Sequence, residues 1–389
     1  MVTRLLKNER GIALLAVLMG IALMTLLVVD FATSAEYGFM SAANQANELR
    51  AYYLARSGVS VGLAVLAKDA QTKAIAQQMG GSVGGFPPDS LGDSWASPYP
   101  PVKVGGGQFT LSIVDENRKI NLNAMIGLVN GAPAVNQKAI AQVGQLLQIV
   151  FTEQNIDADP ATLTHNILQW IAPAGMNLQG TGGGLNLGFN SALQPRGGPM
   201  PTIGDLMLVP GFNEAIFHAL LPFVAALPIT GQQPGVNAPP PQGGPSSSPT
   251  PTPIASASSN GCLPGAGVQV NINTAPPEVI AALEPGLMQN PDLVKELVLA
   301  RAAAGPLVPN QPGSNTSGYS SPWSAITTAM PCLSQDVFAN GQSQYFTITG
   351  VGTFAGSRKI VRATFSGYPP PANRGLRGFQ GNLISWREL

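Results

Sequence analysis

Ile12 to Val29 read IALLAVLMGIALMTLLVV. Thr25 is the one weakly polar side chain in this stretch, and none is charged. As a helix it spans about 27 Å, close to one hydrocarbon core. Arg4, Lys7 and Arg10 precede it, and Gly11 follows them. Lys and Arg stay on the cytoplasmic side, so the C-terminal bulk is expected across the membrane. A secretory signal peptide is the second reading, with Thr33-Ser34-Ala35 as its small-residue cleavage site. Against it, helix-compatible sequence continues to about Ala70, with no proline between Ile12 and Gly85. Leu49, Tyr52, Val59, Leu63 and Leu66 keep helical spacing. The pattern predicts one helix of roughly 60 residues, about 90 Å long, apolar in its first third and amphipathic later.

The rest of the chain is charge-poor and loop-rich. Its 389 residues make two domains by length, or one with a large insertion. Charged residues are 10% of it, against about 25% in an ordinary globular protein. Lys and Arg number 20, as do Asp and Glu. That balance excludes a broad electrostatic nucleic-acid binder and charge-driven disorder of the whole chain. Two His and two Cys leave no cluster for zinc.

Residues 71–106 carry Gly-Gly and Pro-Pro pairs and are expected to be mostly loop. Gln108 to Val114 alternates apolar Phe109, Leu111 and Ile113 with Thr110 and Ser112, which predicts a half-buried strand. From 121 to 335 the periodicity is helical. Asp159-Pro160, Asn290-Pro291 and Ser321-Pro322 each pair a capping residue with a proline suited to the first helical position. Residues 231–259, rich in Pro, Gly, Ser and Thr, read as a disordered linker. Tyr345–Val351 and Ser357–Phe365 flank Phe354-Ala355-Gly356 and read as a hairpin, with Asn382 to Arg387 as a short last strand. The fold class is therefore α+β: a long N-terminal helix on a small antiparallel sheet, with a helical domain inserted between the strands.

Nothing in the sequence announces catalysis. His165 and His218 fall in apolar helical stripes, and Arg301 and Glu296 read as helix-surface charges. No G-x-S-x-G, Walker A or H-E-x-x-H motif occurs. Leu208-Val209-Pro210-Gly211-Phe212 sits where a helix-hairpin-helix loop would, but residues 200–230 contain no Lys or Arg for DNA phosphates. Two segments look alike: Lys119-Ile120-Asn121-Leu122-Asn123 and Val270-Asn271-Ile272-Asn273-Thr274. In each, Asn residues flank an apolar one ahead of a predicted helix, where they suit orphan N–H groups. Cys262 and Cys332 flank the Asn271–Thr328 block; they are either bridged, as an oxidising compartment favours, or two buried thiols.

The front end resembles the type IV pilin-like proteins, whose short basic leader ends in Gly before the apolar run. The matching residues are Arg10-Gly11, then Ile12-Ala13-Leu14-Leu15-Ala16. The resemblance implies cleavage by prepilin peptidase between Gly11 and Ile12, and N-methylation of Ile12. The family's usual Glu at the fifth mature position is here Ala16. With that departure, Glu116 to Asn123, Asp205 to Gly211, Val270 to Leu283 and Trp386-Arg387-Glu388 are similar to the minor pseudopilin K family of type II secretion.

That resemblance implies a pilin-like fold divided as follows. Residues 1–11 form the leader, 12–30 the transmembrane part of the helix and 31–70 its periplasmic part. Residues 71–120 begin the pilin-like domain, 121–335 are the inserted helical domain with its 231–259 linker, and 336–389 complete the pilin-like domain. It implies a non-enzymatic subunit of the inner membrane, with its bulk in the periplasm, at the tip of a pseudopilus. Its partners would be other minor pseudopilins, the major pseudopilin and prepilin peptidase, with no nucleic acid and no small-molecule substrate. A pilin-like subunit whose helical domain binds substrate or DNA is the alternative. Calcium is associated with the family. Here the run that is acidic in relatives reads Gln169-Trp170-Ile171-Ala172-Pro173-Ala174, without a carboxylate, so no metal ligand is assigned.

Overall fold

The computed structural model describes residues 9–78, 87–129, 132–176, 178, 194–228, 267–304, 332–333, 341–367 and 382–389. The leader residues 1–8, the Gly-rich run 180–184, the linker 231–259, Cys262 and Ser321-Pro322 lie outside them.

Helix α1 runs Glu9–Gln78, 70 residues or about 105 Å. Residues 71–78, expected as loop, are its last turns. Gln71 to Gln78 contain no Gly or Pro, and the first breaker is Gly80. Residues 11–46 are exposed throughout. Beyond them the helix buries one face, made of Ala51, Leu54, Ala55, Val59 and Leu66. Tyr52 and Leu63 pack at its margin. Leu49, expected on this face, is 55% exposed. The contact begins instead on small residues, because helix and sheet approach backbone to backbone.

The strands are β1 (Val102–Val104), β2 (Gly107–Asp115), β3 (Ile120–Asn121), β4 (Ile126–Val129), β5 (Ala132–Val135), β6 (Val224–Ala225), β7 (Tyr345–Phe354), β8 (Ser357–Ser366) and β9 (Asn382–Glu388). Five form an antiparallel sheet in the order β1-β2-β7-β8-β9. Sequence-distant β2 and β7 are central neighbours, with Gln108 opposite Thr353 and Asp115 opposite Phe346. Ala355-Gly356 joins β7 to β8 with φ of 45° and 86°, the left-handed pair that a two-residue hairpin turn requires. The inner face brings Phe109, Leu111, Ile113, Ile348, Val361 and Ala363 against α1 and Trp95.

Gly350 and Gly352 set how close the two layers come. A Cβ on Gly350 would stand 2.0 Å from the Ala55 carbonyl oxygen, and one on Gly352 would stand 2.0 Å from that of Ala51. Glycine inside a strand marks such a close backbone approach.

Between β2 and β7 lies the insertion. Its helices are α2 (Gln137–Glu153), α3 (Pro160–Ile171), α4 (Glu214–Leu220), α5 (Pro277–Ala281), α6 (Pro285–Gln289) and α7 (Pro291–Ala304). They enclose a separate core that includes Leu146, Leu147, Ile167, Leu168, Ile272 and Leu297. Asp159 caps α3 by accepting from the backbone N–H groups of Ala161 and Thr162. Pro291 opens α7 as expected, the Asn290 carbonyl before it accepts from the Leu293 N–H, and the Asn290 amide turns back to the Gly286 carbonyl at 2.9 Å. The insertion also holds strands that helical periodicity hides. β4 and β5 form a hairpin, and β3 runs parallel to β6, with Ile120 opposite Val224. The chain is therefore committed to the insertion from the turn after Asp115.

Candidate assembly interface

A buried polar knot fastens the insertion to the sheet. Asp115 ends β2 and is 1% exposed. Its Oδ2 accepts from Ser343 Oγ at 2.6 Å, Thr274 Oγ1 at 2.5 Å and Asn271 Nδ2 at 3.2 Å. Its Oδ1 accepts from the Asn117 N–H at 2.8 Å. Asn117 Oδ1 accepts from the N–H groups of Gln344 and Tyr345, and its carbonyl accepts from the Asn271 N–H. Asn271 Nδ2 also reaches the Asp89 carbonyl at 3.0 Å. One cluster thus ties the exit from β2, the 270–275 segment and the entry to β7.

The knot continues to the end of α1. Asp89 Oδ2 accepts from the Ser343 N–H, and its Oδ1 meets Lys73 Nζ at 2.5 Å. Lys73 also meets Asp93 at 2.6 Å and Asp69 at 2.8 Å. Burial alone would pull the Lys73 ammonium down, but Asp89, Asp93 and Asp69 outweigh it and hold the group charged, above its usual value. Packing along α1 runs in order: Leu54 beside Gly107, Gly58 beside Phe109, Gly62 beside Ile113, then Lys73 at the knot. The insertion therefore branches off at the end of the sheet farthest from the apolar segment.

Burial pushes the Asp115 carboxyl up to about 6, against the hydrogen bonds from Ser343 and Thr274 that favour its charged form. An unfolded Asp titrates near 3.9. Between those values the folded chain holds a proton that the unfolded chain has released. The Asp115 contribution is therefore full below about pH 4 and lost as pH rises through about 6, a change on the order of 3 kcal/mol. Asp69 and Asp89, also raised by burial, act in the same direction, while His165, lowered by burial, opposes them. The expected result is a difference between proteins. Going from pH 4.5 to 7, urea midpoints of the full-length protein in detergent should fall further for wild type than for Asp115→Asn. Equal changes in the two would contradict the assignment.

The sequence likeness between the two Asn segments is a likeness of local geometry. Asn121 Oδ1 accepts from the Asn123 N–H and Asn271 Oδ1 from the Asn273 N–H. Their wider roles differ. Asn123 pairs with both backbone groups of Met200, whereas Asn271 belongs to the knot. The first segment leads into a single 3-10 turn, Leu122–Met125, rather than the expected helix, because β4 follows at once. Arg301 is no plain surface charge. Its guanidinium donates to the Ile272 and Ala275 carbonyls at 2.7 Å each and so braces the second segment. Burial, then the nearby Arg118, lowers its pKa to about 10. Gly211 has a φ of 88°, and a Cβ there would stand 2.7 Å from Leu163 Cδ2, so the Val209–Phe212 turn packs on α3. His165 is buried in α3, whereas His218 is largely exposed, 3.6 Å from Glu214. Cys332 is disulfide-bonded, and its expected partner, Cys262, lies outside the described residues.

The other feature suited to assembly is α1 itself. It is long and apolar enough to cross a membrane, and none of its apolar window is buried in the protein. Ile12 is 66% exposed, and Ala16 stands on the same bare helix with Gly11. Past the apolar run, Phe31, Tyr37 and Phe39 are also more than 70% exposed. A contiguous exposed apolar surface of this size marks a site of membrane or protein interaction.

One acidic group has the spacing of a cation site. Ligand oxygens of Asp69, Asp89 and Asp93 lie within 4.8 Å of one another. The chain's own Lys73 ammonium fills that position, touching all three, so these residues do not fit a resident calcium ion.

The comparisons with known proteins agree with this architecture. Two family models, both described as type II secretion system (T2SS) protein K, match residues 118–229 and 270–309. The type II secretion system protein K of Pseudomonas aeruginosa is 28% identical over 226 residues, 57% of this chain and 63% of that protein. That of Pectobacterium carotovorum subsp. carotovorum is 25% identical over 232 residues, 59% of this chain and 66% of that protein. The matches thus span just under two thirds of those relatives. In the crystal structure of the GspK-GspI-GspJ complex from enterotoxigenic Escherichia coli, one chain superposes with a TM-score of 0.52 at 14% identity. The superposition covers 90% of this chain and 99% of that one, and establishes a shared fold. The two family-model matches fall within the helical insertion and take in both Asn segments, so over those residues the chain is similar to the type II secretion system protein K family, and its overall fold is shared with a chain of the GspK-GspI-GspJ complex.

Proposed function

We propose that the chain is a non-catalytic minor pseudopilin that occupies the tip of a periplasmic pseudopilus and helps start its assembly. The observation that carries this reading is where the insertion branches. It leaves the sheet at the knot beside Lys73, at the end of α1 remote from the apolar segment. A subunit stacked above would have to occupy the same space. Ala16 adds a second support. A carboxylate within the bilayer costs roughly 2.5–3.5 kcal/mol on insertion scales unless paired. The first subunit in has no earlier N-terminal ammonium to pair with and can do without the Glu. The exposed Phe31, Tyr37 and Phe39, spread around the helix, supply area for neighbouring pseudopilin helices on more than one side, as partners such as GspI and GspJ would provide. On this reading the chain is anchored in the inner membrane, with no nucleic-acid or small-molecule substrate.

Processing follows from the same reading. Prepilin peptidase cuts after Gly11 and leaves an N-methylated Ile12, and Cys262 bridges Cys332. Intact and peptide mass spectrometry of the full-length protein from its host tests both. The expected result is a chain beginning at methyl-Ile12, with the two cysteine peptides linked until reduction. A chain beginning near Glu36 would contradict the pilin-like reading, and two free thiols would contradict the bridge.

A further inference from the structure

The sheet face turned away from α1 carries a basic cleft. The strand register sets Thr349, Arg362 and Arg387 in one row across β7, β8 and β9, with the two arginines directly opposite each other. Like charges directly opposite each other in a sheet are destabilising. Among the described residues neither arginine has an ion-pair partner, whereas Lys119 and Glu116, at the same cleft, are paired at 2.9 Å. Arg387 is half-buried and Arg362 is exposed at the mouth of the cleft. The β6 segment and Pro201–Ile203 of the insertion line, together with both arginines, an open cleft of about 330 Å³. The walls add the hydroxyls of Thr349 and Ser385. A guanidinium pair lining a cleft beside hydroxyl donors fits a carboxylate, which Arg binds through two parallel hydrogen bonds. The half-buried position of Arg387 strengthens that attraction relative to open water.

We infer that this cleft, formed jointly by the sheet and the insertion, receives an acidic side chain of a neighbouring pseudopilin. The inference rests on the assembly reading above and deepens it by naming the partner's chemistry. A lipid headgroup is too far away. β7 crosses α1 at Gly62, whose Cβ position meets Ile348. Gly62 lies about 48 Å beyond Asp30 along the helix axis, past the end of the apolar run. The acidic group therefore comes from protein in the same compartment as the sheet.

The test uses the full-length protein in detergent and a labelled hexaglutamate peptide, read by fluorescence anisotropy, with inorganic phosphate as competitor. Wild type should bind the peptide. Arg362→Glu with Arg387→Glu should weaken binding by about tenfold or more, a change of about 1.4 kcal/mol. The milder Arg362→Gln with Arg387→Gln should weaken it in the same direction, which guards against a folding defect. Lys103→Glu, on the far edge strand β1, should not change it. Phosphate binding without peptide binding would overturn the inference in favour of a free-anion site, and binding that ignores both arginine pairs would overturn it outright. A co-purification arm separates the two levels of reading. If wild type fails to co-purify with the other pseudopilins, the assembly reading fails. If wild type co-purifies and both arginine double variants do so equally well, the assembly reading stands and this inference fails.

Discussion

Replacing Gly352 with Val is expected to unseat α1 from the sheet. The new Cβ would stand 2.0 Å from the Ala51 carbonyl oxygen and 2.5 Å from the Ala55 N–H nitrogen. Both are backbone atoms of a continuous helix, so no rotamer change relieves the clash. Either the helix lifts away or β7 bends, and each opens the core around Leu54, Phe109 and Ile348. Overpacking of a well-packed core costs about 1–3 kcal/mol, more where backbone must shift, so a loss of about 3 kcal/mol is expected. The urea midpoint of the full-length protein in detergent reads it. Gly38→Ala is the contrasting substitution. Nothing lies within 4 Å of its added methyl, and Ala is favoured over Gly inside a helix by about 1 kcal/mol. A Gly352→Val protein as stable as wild type would refute the close-approach account.

Asn271→Ala is expected to loosen the insertion from the pilin-like sheet without unfolding either. The substitution removes the amide that reaches Asp89, Asp115 and Ser343, and the oxygen that accepts from the Asn273 N–H. Asn271 is 0% exposed, so the groups left behind have no ready access to water. Leaving buried polar groups unpaired costs about 1–3 kcal/mol, more when one is charged. The total should approach 3 kcal/mol, concentrated at the junction. Hydrogen exchange read by mass spectrometry should show faster exchange over 268–275 and 341–347, where the knot is tied. Residues 54–66, buried against the sheet by other contacts, should keep their protection. Uniform acceleration across the whole chain, or no change at 341–347, would contradict a local fastening role.

Much of the architecture is legible in the sequence because its signals are local. The apolar run of α1, the alternation in β2 and the Ala355-Gly356 turn each depend on residues within one element. The knot is not local. Lys73, Asp89, Asp115, Asn271 and Ser343 come from five separate segments, and Asp115 reads in isolation as an ordinary turn residue. Arg301 was hidden for the same reason: its role depends on carbonyls 26 and 29 positions away. The helix–sheet seam did leave a usable signal. Ala51, Ala55, Gly58 and Gly62 repeat at helical spacing, and Gly350-Val351-Gly352 places two glycines on one face of a strand. Small residues on both partners mark a close approach better than Leu49 marks a core.

The order of these features also connects folding with placement. β2 and β7 must pair across the whole insertion, residues 116–344, before the sheet is complete. The knot secures that long-range closure at the same end from which the insertion projects. A chain built this way has an apolar rod at one end and a bulky domain at the other, so its two ends cannot serve the same neighbours.

The central claim is that this subunit ends the filament. The direct measurement is immunogold labelling of an epitope in the insertion, on pseudopili assembled with the full-length chain and its partner pseudopilins. The account predicts gold at one end of each filament, with more and shorter filaments as the chain is overproduced. It also predicts end labelling for Ala16→Glu, because the insertion still blocks stacking. Gold spaced regularly along the shaft would contradict the account.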